Sequence, residues 1–178
     1  MNSPFYKTIA KSSAHIKSRN SILQLVCENE NLLIELSTIA FDVSDKNHYK
    51  AIWIFEMLAE YHIDLIKPYL ESICNILFKL KHQSAIRGIA RTLLFLHRSN
   101  SNSFTEIQEQ KIIKTCMDWL IGNYMVVPKI VAMHILFDFG KKQLWIHQEL
   151  KLIIEQDYHL QTAGYKNRAK IILAQLNL

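Results

Sequence analysis

One pattern recurs four times along the chain and limits the folds that it can adopt. In each copy a basic residue is followed three positions later by a small or apolar residue and seven positions later by an apolar one. The basic residues, spaced 37, 42 and 37 positions apart, are Lys50, Arg87, Lys129 and Lys166. Offsets of three and seven place residues on one face of an α-helix. A helical unit of this length cannot bury its apolar face alone, so neighbouring copies must stack.

The position three residues after the basic one is small in three of the four copies. It is Ala90, Ala132 and Ala169 in the last three copies, whereas Trp53 takes this position in the first copy.

Helix start signals between the copies predict a second helix in each repeat. Pro68 suits the first turn of a helix over residues 69–80, because that turn needs no amide donor. Thr105 and Gln108 have capping-box spacing at the start of another helix. In the third repeat Gly140 is predicted to end the first helix, and residues 143–156 to form the second. A polar loop at residues 97–104 accounts for the one longer spacing. With only four glycines and three prolines, the chain is not a strand-and-turn protein.

The length of 178 residues suits one domain, which we predict over residues 1–178. Residues 1–15 are polar and are predicted to be a loose N-terminal segment or a short leading helix. Helical periodicity begins at Ser18, and the clearest repeats cover residues 45–178.

With its repeated basic and small positions, the chain resembles the HEAT-like repeats of the α–α superhelix class over residues 45–178. Residues 18–42 would be a divergent first pair. The resemblance implies an all-α, right-handed superhelix of stacked helix pairs. It also implies that the basic residue of each first helix contacts an acid or a carbonyl of a neighbouring repeat. In such repeats the small residue lets the paired helices approach closely, so the first copy, with Trp53 at this position, would pack differently or turn the ring outward.

A second resemblance covers residues 42–51, 118–121 and 165–169, which are similar to a family of short bacterial proteins. Some members of that family carry the name adenylosuccinate lyase. Lyases of that superfamily carry a Gly-Ser-Ser…Met-Pro…Lys…Asn-Pro signature on a mobile loop, and this sequence has no such segment. We therefore do not expect lyase activity, which would rest on the inherited name alone.

The net charge of +5 is concentrated in a segment that we call the basic stripe, residues 72–104. Its charged residues are all basic: Lys79, Lys81, Arg87, Arg91 and Arg98. A basic surface attracts polyanions, so nucleic-acid binding through this stripe is an alternative function. A more ordinary interpretation is that Arg87 and Arg91 lie on a solvated helix face, with Arg87 contacting a neighbouring repeat. Glu56, Glu60 and Asp64, spaced four positions apart, would then form a solvated acidic ridge or pair with Lys50 and Arg87.

A DNA-repair enzyme is a further alternative. Some HEAT-like bacterial proteins are DNA glycosylases that use an aromatic residue, an acid and an arginine in a basic cleft. Trp119, Asp118 and Arg91 are of these types. Adjacent helical residues point about 100° apart, so Trp119 and Asp118 cannot both face one cleft squarely.

The remaining residues of chemical interest predict no catalytic, metal or cofactor site. The eight histidines include no pair at helical spacing of three or four, and no Cys-x-x-Cys pair occurs. Three cysteines in apolar helical runs favour a reducing compartment, so a cytoplasmic location is expected. We find no signal peptide and no apolar run long enough for a membrane span.

The favoured hypothesis is a non-enzymatic scaffold that binds a protein or peptide along its concave face. The candidate binding residues are Arg87, Arg91, Arg98, Trp53, Asp118 and Trp119. The final repeat would leave one apolar face of the C-terminal helix exposed, which predicts either a capping role or a dimer contact.

Overall fold

The computed structural model describes residues 3–99 and 104–176, and all regular elements within these ranges are helices. Contacts divide the chain into two compact units, residues 1–99 and 100–178. The predicted all-α helical-repeat fold is confirmed. The handedness of the superhelix and the grouping of all residues into one domain stay predictions. Among the described residues, no helix has both the length and the apolar character needed to cross a bilayer.

Between residues 3 and 99, the first unit contains seven α-helices, with 3₁₀ turns at Lys67–Tyr69 and Leu77–Lys79. The helices are α1 (Pro4–Lys11), α2 (Ile16–Cys27), α3 (Glu30–Phe41), α4 (His48–Tyr61), α5 (Ile63–Ile66), α6 (Leu70–Ile76) and α7 (Gln83–Ser99). The second unit contains four α-helices among its described residues, with a 3₁₀ turn at Tyr158–Leu160. These are α8 (Glu106–Ile121), α9 (Val126–Gly140), α10 (Leu144–Asp157) and α11 (Ala163–Leu176).

The N-terminal segment takes the second of its two predicted forms, because α1 is a short leading helix and not a loose tail. Ser3 caps it by accepting a hydrogen bond from the Tyr6 amide at 2.9 Å, and Pro4 occupies its first position. Phe5 and Ile9, four residues apart, are both buried. This single apolar pair docks the helix, and it is too short a pattern to stand out from a polar segment.

The predicted helix over residues 69–80 is wrong in part. The structure breaks it into α6 and the 3₁₀ turn at Leu77–Lys79, while Pro68 lies in the preceding 3₁₀ turn. Tightening of this kind is common at helix ends. The loop predicted at residues 97–104 starts later than predicted, because α7 continues to Ser99. Residues 100–103 of this loop lie outside the described residues.

Other predicted helix ends are confirmed. Thr105 Oγ1 accepts a hydrogen bond from the Gln108 amide at 3.3 Å, and Gln108 Oε1 accepts one from the Thr105 amide at 3.0 Å. This reciprocal capping box starts α8. Gly140 is the last residue of α9, as predicted.

The first unit is built around α4, which contacts α1, α2, α3, α5 and α7. All residues from Ala51 to Ala59 are buried, including the Glu56 carboxylate. A helix that is apolar on every side belongs in the interior of a packed domain. In the second unit α9 has the same role, since it contacts α8, α10 and α11.

Two glycines permit close contacts that a methyl group would block. A Cβ at Gly88 on α7 would lie 2.7 Å from the Ile52 Cγ2 atom of α4. A Cβ at Gly140 would lie 1.9 Å from the His147 ring, whose Nε2 is 2.8 Å from the Phe137 carbonyl oxygen. Both contacts join neighbouring helices within one unit.

Replacing Gly88 by alanine should destabilise the protein by about 1–3 kcal/mol, because Ile52 is fully buried and cannot move aside. Gly164→Ala is the matched control, since its Cβ would meet no atom closer than 3.7 Å. That variant should be unchanged or more stable by about 0.5 kcal/mol, from helix propensity. Chemical denaturation of both variants measures the difference. Equal stability of the two would contradict the close approach of α7 to α4.

The three cysteines should differ in reactivity. Cys27 is exposed, whereas Cys74 and Cys116 are buried, and burial raises the pKa of the Cys116 thiol. A thiol-reactive disulfide reagent should therefore modify one thiol in the native chain and all three after denaturation. Cys27→Ser should remove the native reaction. Rapid modification of more than one thiol under native conditions would disprove this packing.

Candidate functional site

The centre of the predicted basic stripe is a charged cluster between α4 and α7. The buried Glu56 carboxylate on α4 accepts two arginines from α7, with Arg87 Nη2 at 3.0 Å from Oε2 and Arg91 Nε at 2.7 Å from Oε1. Arg91 Nη2 also lies 3.4 Å from Glu60 Oε2. The spacing of four residues on both helices brings each pair to the same face.

Burial and the arginines act in opposite directions on Glu56. Loss of hydration raises the pKa of the Glu56 carboxyl, and the charges of Arg87 and Arg91 lower it, with a further contribution from Arg19 on α2. Burial has the larger effect, so the pKa is raised overall. Arg87 and Arg91 therefore stabilise the ionised Glu56 carboxylate, whose burial without a partner would be costly.

This geometry changes the interpretation of the basic stripe. Arg87 and Arg91 are bound to carboxylates, and their side chains are only 27% and 36% exposed. Lys79, Lys81 and Arg98 are exposed. The stripe therefore offers three exposed cations, and two of its five positive charges are compensated within the unit.

The other repeated basic residues bind backbone carbonyls. Lys50 Nζ donates to the Ala10 carbonyl near the end of α1. Lys129 Nζ donates to the Leu120 carbonyl at the end of α8, at 2.9 Å, and Lys166 Nζ to that of His159 after α10, at 3.1 Å. The last carbonyls of a helix have no partner within the helix and carry partial negative charge. These lysines therefore act as caps for neighbouring helices.

The small repeat positions Ala90, Ala132 and Ala169 are fully buried. Trp53, which takes the same position in the first copy, is 9% exposed and lies edge-on to Tyr49 with ring centroids 5.2 Å apart. The ring is therefore not turned outward.

The burial of two predicted binding residues does not favour a role in binding. Trp53 and Trp119 are both within the core, so neither ring offers a surface to a ligand. Asp118 beside Trp119 is exposed, as the 100° rotation between adjacent helical residues requires. A glycosylase-type arrangement needs an accessible aromatic ring next to the acid, and Trp119 does not supply one.

The structure instead exposes an apolar strip on α10 that sequence reasoning did not identify. We define this α10 strip as Leu144, Trp145 and Leu152, which are 73%, 51% and 60% exposed. The opposite side of the helix buries Ile146, Leu150 and Ile154. The sequence contains a signal for this strip, because α10 has apolar residues on two sides and only one side is needed for packing against the core.

Metal-binding chemistry finds no support among the residues that the structure covers, since they include no group of three or more His, Cys, Asp or Glu side chains able to hold a metal ion.

Comparison with known proteins supports the repeat architecture. A family model for the HEAT repeat domain matches residues 7–175, which is nearly the whole chain. No curated protein and no solved structure matches the sequence.

Replacing Arg87 by alanine should lower stability, because Glu56 would lose one of its two guanidinium partners. We expect a loss of about 1.5–3 kcal/mol, the range for a hydrogen bond to a charged group. A double-mutant cycle with Glu56→Gln isolates the pairwise energy in urea denaturation. Arg98→Ala, on the same helix and exposed, is the control and should stay within about 0.5 kcal/mol of the wild type. An unchanged melting temperature for Arg87→Ala would contradict a structural role.

Proposed function

The chain belongs to the HEAT repeat domain family, and we propose that it is a non-catalytic scaffold that binds another protein through the α10 strip. HEAT repeat domains are commonly protein-interaction scaffolds. The observation that carries the proposal is the exposure of Trp145 beside two exposed leucines on one helix.

The geometry of the α10 strip suits a protein partner. Leu144 and Leu152 are eight residues apart, and Trp145 and Leu152 are seven apart, so all three lie within about a third of the helix circumference. Tryptophan is enriched at the centres of protein interfaces, where its large flat ring fills a pocket of the partner. Large exposed apolar residues grouped on one side of a helix are typical of sites that bind another protein.

Charges beside the strip suggest the chemistry of the partner. Glu149 and Glu155 are exposed on the same half of α10. Lys151 Nζ lies 4.0 Å from Glu155 Oε1 and compensates that charge in part. An amphipathic helix with an apolar face and flanking basic residues would complement this surface.

The alternative of nucleic-acid binding receives less support. Its strongest sequence argument was the basic stripe, and Glu56 and Glu60 compensate Arg87 and Arg91 there.

The three free cysteines, two of them buried, fit the reducing cytoplasmic location that we propose. The predicted dimer contact through α11 stays a prediction.

A photo-reactive benzophenone side chain at Gln148, an exposed position between Trp145 and Leu152, tests the proposal in cells that produce the protein. We expect discrete protein adducts from this position, removed by protease and unaffected by nuclease. The same side chain at Asn20, exposed on α2, is the positional control and should give few adducts.

The matched variant is Trp145→Ser combined with Leu152→Ser, which should abolish the adducts while leaving the melting temperature unchanged, because both side chains are exposed. Adducts that persist in this variant, that are equal at Asn20, or that disappear with nuclease would contradict the proposal. So would the absence of adducts at Gln148.

A further inference from the structure

A groove of about 430 Å³ lies in the second unit between the end of α10 and one side of α11. We call it the α10–α11 groove. One wall consists of Glu155 on α10 with Tyr158 and His159 from the 3₁₀ turn, and the other consists of Lys170 and Leu173 on α11. None of these residues belongs to the α10 strip.

The repeats allow the α11 wall to be compared with the same positions on α9. Residues of α9 and α11 correspond at an offset of 37, the spacing of their repeated lysines. At this offset Leu173 and Leu176 correspond to Leu136 and Phe139, which are 0% and 2% exposed. Leu173 and Leu176 are only half-buried. These positions are therefore covered on α9 and open on α11 within the described part of the chain.

The position that corresponds to the groove one repeat earlier is filled by a helix. There α10 packs against both α8 and α9. It buries Ile146, Leu150 and Ile154, which are spaced four residues apart and form one side of the helix. The repeat architecture therefore indicates that an amphipathic helix is the shape that fits between α10 and α11.

The charges around the groove favour acidic groups on this helix. Lys170 is exposed and forms no ion pair or hydrogen bond with another described residue. Lys166, four residues earlier on the same side of α11, donates to the His159 carbonyl and keeps its charge. On the other wall Glu155 lies 4.0 Å from Lys151, which compensates it in part. A net positive charge remains, and carboxylates complement it.

The same charges disfavour a second copy of α11 as the occupant. This helix carries Lys166, Arg168 and Lys170 and has no acidic residue. A two-fold contact brings the same side of both copies together, so the lysines of one copy would meet those of the other. A helix of opposite charge suits the groove better.

We propose that the α10–α11 groove binds an amphipathic α-helix of a partner protein, with apolar residues on one side and acidic residues beside them. Leu173 and Leu176 contact the apolar side of that helix, and Lys170 pairs with one of its carboxylates. This inference goes beyond the proposed function. Trp145 of the α10 strip lies ten residues before Glu155, which is about 15 Å along the helix.

The probe is a fluorescein-labelled peptide of residues 143–157 of this chain, titrated with the intact protein and followed by fluorescence anisotropy. It carries the apolar side of α10, three acidic residues and one lysine. A hydrocarbon staple between positions 148 and 152 keeps the peptide helical, and position 148 lies about 160° from the centre of the apolar side. We expect saturable binding of one peptide per chain.

Two matched peptides separate the apolar and the charged contributions. Replacing the three acidic residues of the stapled peptide by their amides should weaken binding at least about tenfold, because the carboxylates that pair with the lysines are lost. Serine at positions 146, 150 and 154 should abolish saturable binding, because the apolar side is lost.

Two charge reversals on α11 locate the bound peptide. Lys170→Glu should weaken its binding about tenfold or more, because a repulsive charge enters the groove. Arg168→Glu is the matched control, since it changes the net charge equally and lies about 160° away around the same helix. It should leave the affinity within about twofold, as should Trp145→Ser in the α10 strip. Melting temperatures of all three variants show that the fold is kept.

The proposal is overturned if the stapled peptide does not bind in a saturable way, or if Lys170→Glu binds it as tightly as the wild type. Equal loss in Lys170→Glu and Arg168→Glu would show long-range attraction alone and would also overturn it. Dimerisation of the protein that the peptide displaces would identify a second copy as the occupant and contradict a partner helix. Loss of binding in Trp145→Ser would assign the peptide to the α10 strip.

Discussion

The packing of the first unit depends on one buried charge, the Glu56 carboxylate on the central helix α4. Glu56 on α4 cannot reach bulk water, so α7 must bring guanidinium groups to it, and Arg87 and Arg91 do so. Gly88 lies between them and lets α7 approach α4 closely enough for both contacts. Arg87 and Arg91, which in the sequence resemble part of a polyanion-binding surface, therefore join α7 to α4.

The repeated basic position has one physical role in the three lysine copies and another in the arginine copy. Lys50, Lys129 and Lys166 cap helix ends by binding carbonyls, whereas Arg87 binds a side chain. An ammonium group donates well to single carbonyl oxygens, and a guanidinium suits a carboxylate because of its planar fork. In each case the charge joins neighbouring helices, which is why a basic residue recurs where repeats stack.

Sequence reasoning predicted the helical repeats, the capping box at Thr105 and the end of α9, because each depends on local periodicity or short-range hydrogen bonds. It did not predict which tryptophans are buried. Trp53 and Trp119 enter the core and Trp145 faces outward, a difference set by neighbouring helices that periodicity does not reveal. Sequence reasoning also did not predict the contact between the His48 and His82 rings, since these residues are far apart in the chain and meet only when α4 and α7 pack.

The most direct test of this account is fluorescence anisotropy of labelled duplex DNA and single-stranded RNA, titrated with the wild-type protein at low and near-physiological salt. Because Glu56 and Glu60 compensate the central arginines, we predict no binding at near-physiological salt and at most weak binding at low salt. Micromolar binding that persists near physiological salt and disappears when Lys79, Lys81 and Arg98 are replaced by glutamate would contradict the account. It would show that the basic stripe is a nucleic-acid surface.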